Sequence, residues 1–278
     1  MIKLHNFKPL IKLKKDEYKY LSPFIFFYKK SYFLFFCNRG KTGNFYGEIN
    51  LLKSKDLLNW NRIKNFCIKP DKNSSIISYT SPCLVKKNFF YLYIQAQGKN
   101  FTSKIIRYKS KDFKSWIKDK NFKIEERGFM IKSPYYSEHD DEYLYYSREN
   151  KTEKYISKMN LKNNKIFNLI KSENKNDKYS IYSPTITKYK NYFIMLYSAW
   201  KNVNEGNIKL AISKNLKIWY KSKDYLFTLP KKIKIISEPN MINKDNYVYL
   251  FYEFKKNLTH WNLALEKIDL KKIFKTKI

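Results

Sequence analysis

The most constraining feature of the sequence is a segment that recurs five times. Each copy joins Ser-Pro or Glu-Pro to a short apolar run, a polar turn and an aromatic run such as YFIMLYS (192–198). The prolines lie at intervals of 59, 52, 50 and 55 residues, at Pro23, Pro82, Pro134, Pro184 and Pro239. This near-constant period is too long for most helical repeats and fits one propeller blade of four strands.

The same strand pattern can be read in each copy. Proline is tolerated at the first position of a strand, so each Ser-Pro or Glu-Pro pair is predicted to begin one. Polar pairs such as Lys29-Lys30 predict tight turns, and the aromatic runs predict buried second strands. We therefore predict an all-β fold, a five-bladed β-propeller with four antiparallel strands per blade. It would form a single domain over residues 1–278, with blades beginning near residues 21, 80, 132, 182 and 237. A segment around Lys8–Leu13 or Leu270–Thr276 is expected to close the ring.

A second motif follows the third predicted strand of three units. It reads SKDLLNW over 54–60, SKDFKSW over 110–116 and SKNLKIW over 213–219. Ser and Asp or Asn side chains close turns by accepting hydrogen bonds from nearby backbone N–H groups. The tryptophan would then open the fourth strand and pack between blades. The motif therefore predicts a structural turn rather than a reactive site.

The combination of Ser-Pro, an aromatic hairpin and SKDLxxW resembles the five-bladed propeller glycoside hydrolases. These are families 43, 32, 62 and 130, the arabinanase, levansucrase and invertase group, and the resemblance covers about residues 21–268. It implies that an Asp before Pro, a second Asp before Pro and a Glu supply the catalytic carboxyl groups. Position by position these fall on Ser22, on Ser133 (or Ser81) and on Ser183, none of which is a carboxylate. The fifth unit alone keeps an acid at this place, Glu238.

Glycoside hydrolysis requires two carboxyl groups at a fixed separation. We therefore predict Glu238 as the principal catalytic candidate, with Glu205 and Glu253 as possible partners in loops near the same end of the channel. The predicted substrate-binding residues are the serines before proline together with polar and aromatic residues of these loops. They are Ser22, Arg39, Ser81, Gln97, Ser133, Arg148, Ser183, Trp200 and His260.

Several of these residues carry a specific expectation. Arg39 and Arg148 are taken to occupy matching places after the second strands, where they would suit a carboxylated or phosphorylated ligand. Trp200 would stack on a sugar ring, whereas Trp261 is favoured as strand core. His260 has no clustered partner and His139-Asp140-Asp141 is interpreted as a hairpin turn, so no metal site is expected. No cofactor is expected either.

The formal charge of +33 raises the question of nucleic acid. Only five of the 57 basic residues are arginine, the residue that recognises phosphates and bases bidentately, so no specific nucleic-acid partner is predicted. Weak lysine-mediated binding of anionic polymers is kept as a third hypothesis. The N-terminus has no signal-peptide h-region and no apolar run spans a bilayer, so the expected location is cytoplasmic.

Two functions of different classes remain open from the sequence. One is a glycan-processing enzyme, a glycosidase or glycosyl-transferring variant that uses a displaced acid such as Glu238. The other is a non-catalytic propeller that binds a glycan or another partner. Both expect a sugar or oligosaccharide ligand, neutral or anionic, at the mouth of the channel.

Overall fold

A computed structural model of the chain describes residues 1–12, 17–40, 47–100, 102–173, 176–255 and 261–276. For residues 17 and 18 the description covers the backbone. The chain begins with a two-residue strand, β1 (Ile2–Lys3). The first blade consists of β2 (Glu17–Tyr28), β3 (Ser31–Gly40), β4 (Gly47–Ser54) and β5 (Asn61–Arg62). The second consists of β6 (Ile76–Lys86), β7 (Phe90–Gly98), β8 (Ser103–Ser110) and β9 (Ile117–Ile124).

The remaining blades repeat this order. The third consists of β10 (Met130–Tyr136), β11 (Tyr143–Glu149), β12 (Lys154–Asn160) and β13 (Ile166–Lys171). The fourth consists of β14 (Ser180–Tyr189), β15 (Tyr192–Asn202), β16 (Glu205–Ser213) and β17 (Tyr220–Lys221). Strand β18 (Phe227–Thr228) pairs in parallel with β1. The fifth blade contains β19 (Ile235–Lys244), β20 (Tyr247–Lys255) and β21 (Trp261–Asp269), and a helix, α1 (Leu270–Lys275), follows it.

The blades form a ring about a central axis. Within each blade the successive strands pair antiparallel. The five inner strands contact one another in the order β2, β6, β10, β14, β19 and back to β2. A parallel bridge between Lys19 of β2 and Trp261 of β21 joins the first blade to the last. The predicted five-bladed propeller is therefore confirmed.

The fifth blade differs from the prediction in how it is completed. Residues 270–275 form the helix α1, capped by Asp269, instead of a closing strand. The N-terminal segment runs beside β21: the Leu10 N–H donates to the Leu263 carbonyl at 2.7 Å, and the Asn6 side-chain amide donates to the Leu265 carbonyl at 2.8 Å. Of the two predicted segments, the N-terminal one occupies the outer position of this blade.

Apolar side chains fill the spaces between the blades. The second strand β3 is buried along nearly its whole length, as its aromatic run predicts. Trp60 of the first blade packs edge-to-face on Phe251 of the fifth at 5.8 Å, and Trp116 of the second packs on Phe66 of the first at 6.2 Å. The predicted position of these tryptophans between blades is therefore confirmed. No helix among the described residues is long and apolar enough to cross a membrane.

Candidate functional site

The inner strands do not begin at their Ser-Pro or Glu-Pro pairs, as the sequence suggested. Each pair lies inside the strand, where the pairing register shifts by a β-bulge. The residue before each proline has a positive φ, between 46° and 54°. We call these residues the axial positions: Ser22, Ser81, Ser133, Ser183 and Glu238. A bulge re-aims a side chain, and these bulges direct the five side chains toward the axis.

The axial side chains meet in one place. The Ser81 hydroxyl lies 3.5 Å from the hydroxyls of both Ser22 and Ser133. The Ser183 hydroxyl donates to Glu238 Oε2 at 2.6 Å. The five residues, which are separated by 50 or more positions in the chain, therefore line a single pit. The site predicted from the sequence required these five residues to come together.

Bulges leave backbone N–H groups that need partners, and the neighbouring blade supplies them. At three junctions among the described residues, the N–H of an axial position donates to a side chain on the second strand of the preceding blade. Ser133 donates to Gln95 Oε1 at 3.1 Å, and Glu238 donates to Ser198 Oγ at 2.8 Å. Ser22 donates to Glu253 Oε2 at 3.1 Å. Sequence reasoning missed Ser198 and assigned no structural role to Gln95.

The register places one residue at the equivalent point of each second strand, opposite the residue that precedes an axial position. They are Cys37, Gln95, Ser147, Ser198 and Glu253, of which Gln95, Ser198 and Glu253 are the three acceptors. Glu253 therefore has a structural role that glutamine and serine fill in other blades. Its second oxygen accepts from the Ser237 hydroxyl at 2.6 Å, and its side chain is almost completely buried.

Two residues further along each second strand, side chains emerge on the same face, as strand alternation requires. We call these the mouth positions: Arg39, Gln97, Glu149, Trp200 and Lys255. Arg39 donates to Gln97 Oε1 at 3.3 Å. Glu149 binds Lys132 and accepts from the Ser180 hydroxyl at 2.6 Å. All five are partly exposed, whereas the residues two positions before them are buried, so they lie toward the open end of the pit.

Arg148 does not match Arg39, contrary to the prediction. Its neighbour Glu149 holds the equivalent place, and a shift of one residue in a strand turns a side chain to the opposite face. The Arg148 guanidinium lies 4.0 Å from the Phe129 ring centre and forms an ion pair with Glu126. Arg148 is therefore part of the wall between blades.

Glu205, another predicted residue, stands apart from the pit. Glu205 lies at the exposed start of β16, where it pairs with Lys201 at 3.1 Å, so it is not positioned as a carboxylate partner for Glu238. His260 lies outside the described residues.

His139 and Asp140 lie in a turn, as predicted, and Asp140 accepts from Lys158 and from the Tyr145 hydroxyl. No group of three or more His, Cys, Asp or Glu side chains in the described ranges is placed to hold a metal ion.

Aromatic rings form one wall of the mouth. Trp200 stacks on Trp261 with ring centres 6.1 Å apart and an interplanar angle of 17°. Tyr182 and Tyr179 contact the same indole at 6.1 and 6.5 Å. Gly206 lies across the strand pair from Trp200, where an added Cβ would lie 2.9 Å from the indole. Trp261 is half-buried in this stack instead of lying in a strand core.

Two glutamates of this region, Glu238 and Glu253, have raised carboxyl pKa values. Burial raises the pKa of Glu238 to about 7, although Ser183 and the charge of Lys132 act in the opposite direction. Burial and the neighbouring Glu238 charge raise the pKa of Glu253. Glu238 is partly exposed, whereas Glu253 is buried. Glu238 can therefore hold a proton near neutral pH at a place that a ligand could reach.

Solved structures show where this fold occurs. A thermostable family-43 glycoside hydrolase superposes with a TM-score of 0.65 and 16% identity, covering 89% of each chain. An endo-arabinase from Bacteroides thetaiotaomicron gives 0.68 and 18%, covering 94% of this chain and 96% of the other. An exo-β-1,3-galactanase from Phanerochaete chrysosporium, solved with β-1,3-galactotriose, gives 0.67 and 11%, covering 89% and 60%.

No protein-family profile and no curated protein matches the sequence. At these identities the structural likeness defines the fold, which is the propeller of the family-43 glycoside hydrolases. It leaves the activity to be argued from the residues of the site.

Proposed function

We propose that this protein binds a carbohydrate in the pit formed by the axial and mouth positions and does not hydrolyse it. The observation that carries the proposal is the composition of the pit. Serine hydroxyls occupy four of the five axial positions, and the half-exposed Trp200–Trp261 stack lies beside them. Hydroxyls and Gln97 suit the hydrogen-bonding edge of a sugar, and an indole suits its apolar C–H face.

The absence of hydrolysis follows from the state of the carboxyl groups. A glycosidase needs one carboxyl group as proton donor and a second as base or nucleophile. Both oxygens of Glu253 are engaged by Ser237 and the Ser22 N–H, and those of Glu149 by Lys132 and Ser180. Serine cannot replace a carboxylate in either role without an activating base.

The test is to measure binding and turnover on the same oligosaccharide panel. We expect saturable binding by calorimetry with no release of reducing ends. Trp200→Ala is expected to weaken binding about tenfold because a stacking surface is lost. Tyr220→Ala, which removes an exposed aromatic ring from the outer edge of the fourth blade, is the matched control and is expected to leave binding unchanged. Equal effects of the two substitutions would contradict the proposed site.

A second candidate function is glycosyl transfer with Glu238 as the proton donor. It is favoured by the raised pKa of Glu238, about 7, combined with its accessible position on the axis. Glu238→Gln separates the two functions. A binding protein keeps its affinity within about threefold, whereas an enzyme of this kind loses its turnover. Turnover by the unmodified protein that Glu238→Gln abolishes would replace the first proposal with the second.

A further inference from the structure

A groove between the third and fourth blades opens beside the pit. Its volume is about 670 Å³. Five lysines line it: Lys132, Lys151, Lys154, Lys178 and Lys201. The lining contains one acidic residue, Glu149, and no arginine among the described residues. The groove is therefore strongly basic.

Most of this positive charge is not neutralised. Lys132 pairs with Glu149, and Lys201 pairs with Glu205. No acidic side chain in the described ranges lies within 4.0 Å of the ammonium groups of Lys151, Lys154 or Lys178. Lys151 and Lys178 are exposed to solvent. Three ammonium groups therefore face the groove without a counter-charge.

A larger cavity nearby carries acidic and basic side chains in equal number in its described lining. It measures about 900 Å³ and lies on the far side of Glu149, between the second and third blades. Its described lining carries three acidic and three basic side chains, and Lys104 approaches Glu125 at 3.8 Å. Of these two neighbouring cavities, the smaller groove is the one with an excess of positive charge in its described lining.

The groove adjoins the mouth of the pit, because two mouth positions, Glu149 and Trp200, belong to its lining. Lys132 and Tyr182 line the groove and directly precede the axial positions Ser133 and Ser183 in the chain. Tyr179 and Trp200 form its aromatic side, stacked at 6.5 Å with an interplanar angle of 26°. A ligand chain that ends in the pit could therefore extend along an aromatic surface flanked by lysines.

We propose that the groove binds a polysaccharide segment whose sugars carry carboxylate or sulfate groups. This inference rests on the proposed function of the pit and names the ligand class. Lysines supply charge attraction for such groups, and the aromatic side supports the sugar rings between them. A nucleic acid is less favoured, because the described lining lacks arginine and the groove leads to a pit of hydroxyls.

The experiment compares polymers that differ in charge. Polygalacturonate is paired with its methyl ester, and dextran sulfate with dextran, with oligothymidylate as a polyanion that is not a polysaccharide. The purified protein is expected to bind at least one acidic polymer about tenfold more tightly than its neutral partner, and to lose affinity as salt rises. The triple substitution Lys151→Gln, Lys154→Gln and Lys178→Gln is expected to weaken this binding roughly tenfold, the sum of three exposed charge contacts.

The matched control removes the same charge elsewhere. Lys114→Gln, Lys118→Gln and Lys120→Gln change three exposed lysines of the second blade, and affinity is expected to stay within about twofold because they are remote from the groove. Equal losses in the two triple variants, no preference for either acidic polymer, or oligothymidylate binding as tightly as the acidic polysaccharides would each overturn the inference. Binding of neutral oligosaccharides that Trp200→Ala weakens would then still support the pit, so the two proposals fail separately.

Discussion

Two sets of residues in this protein share an uncommon backbone conformation and are stabilised in different ways. The five axial positions have φ values of 46° to 54°, and the turn residues Leu57, Phe113 and Leu216 have values of 59° to 69°. For residues other than glycine this left-handed region costs about 1–2 kcal/mol each. Each set therefore needs compensating contacts.

The turn residues obtain these contacts locally. Ser54 Oγ accepts from the N–H of Leu57 at 3.0 Å, and Asp56 accepts from the N–H groups of Leu58 and Asn59. The same bonds recur around Ser110 and Ser213. The axial positions obtain theirs from other blades: the partners of Ser133, Glu238 and Ser22 lie 38, 40 and 231 residues away.

This difference teaches that the two regions depend on different stages of folding. A seven-residue segment contains everything that its turn requires. The axial bulges are complete only when neighbouring blades have met, and the Ser22–Glu253 bond forms only when the last blade meets the first. The candidate site is therefore a product of ring closure.

The largest effect is expected from removing the acceptor at that closing junction. Glu253→Ala would leave the Ser22 N–H and the Ser237 hydroxyl without their partner and would create a cavity, at a cost of about 3 kcal/mol in the free energy of unfolding. Glu253→Gln is the control, because Gln95 fills the same position in the second blade. It is expected to cost less than about 1 kcal/mol. Chemical denaturation measures both, and equal costs would show that the acceptor role is wrong.

The pH dependence of stability tests the long-range contacts around the axial positions, since the local turns contain no group with a raised carboxyl pKa. The folded protein raises the carboxyl pKa of Glu238 from 4.5 to about 7 and that of Glu253 to about 8. Between pH 4.5 and 8 the folded state therefore holds protons that the unfolded chain has released. Stability is expected to fall as pH rises through this window, by up to about 1.4 kcal/mol per pH unit for each of the two groups that is still protonated in the folded state.

The matched variant for this pH experiment is Glu238→Gln with Glu253→Gln, which carries no ionisable group at either position. Its unfolding free energy should vary less with pH over the same range. An unchanged pH profile in the double variant would assign the dependence to other groups.

A smaller effect is expected in the local turns. Ser54→Ala removes an acceptor for two backbone N–H groups and should lower the free energy of unfolding by about 1 kcal/mol. Ser115→Ala, an exposed serine beside an equivalent turn, serves as the control and should change it by less than about 0.5 kcal/mol. A loss as large as that from Glu253→Ala would remove the distinction between local and long-range support.

The smallest effect, and a stabilising one, is expected at the hairpin between β2 and β3. Lys29 and Lys30 both have positive φ, at 45° and 60°, which is the conformation of a type I′ turn. Lys29→Asn with Lys30→Gly should raise the midpoint of thermal unfolding, by the equivalent of about 0.5–1 kcal/mol. The same pair introduced at the exposed Lys231 and Lys232, which do not have positive φ, should give no gain.

Much of the fold was predictable because its causes are local and repeated. The proline intervals gave the number of blades, the aromatic runs marked the buried second strands, and the SKDLLNW motif predicted a turn whose bonds are observed at Ser54 and Asp56. The prediction that the serines before proline meet is also confirmed, because it required only that the ring close.

The rest of the site was not predictable for geometric reasons. The sequence predicts that the Ser-Pro pairs begin strands, but they lie in bulges, and a bulge has no local sequence mark beyond the proline. Arg148 was placed in the mouth because a one-residue difference in strand register is not visible without the pairing partners. Glu205 was expected near Glu238, yet it lies on an exposed hairpin. The acceptors Gln95 and Ser198 lie near the end of their aromatic runs, 13 residues after Pro82 and 14 after Pro184, and this recurring place could have identified them.

The sequence by itself determined the blade repeat, the strand order and the local turns, because hydrophobic alternation, turn chemistry and capping side chains act over a few residues. Only the tertiary structure decided which side chains share the pit and which groups change their pKa. Hydrogen bonds across blades, and the desolvation that raises the pKa of Glu238 and Glu253, exist only once residues far apart in the chain have been brought together.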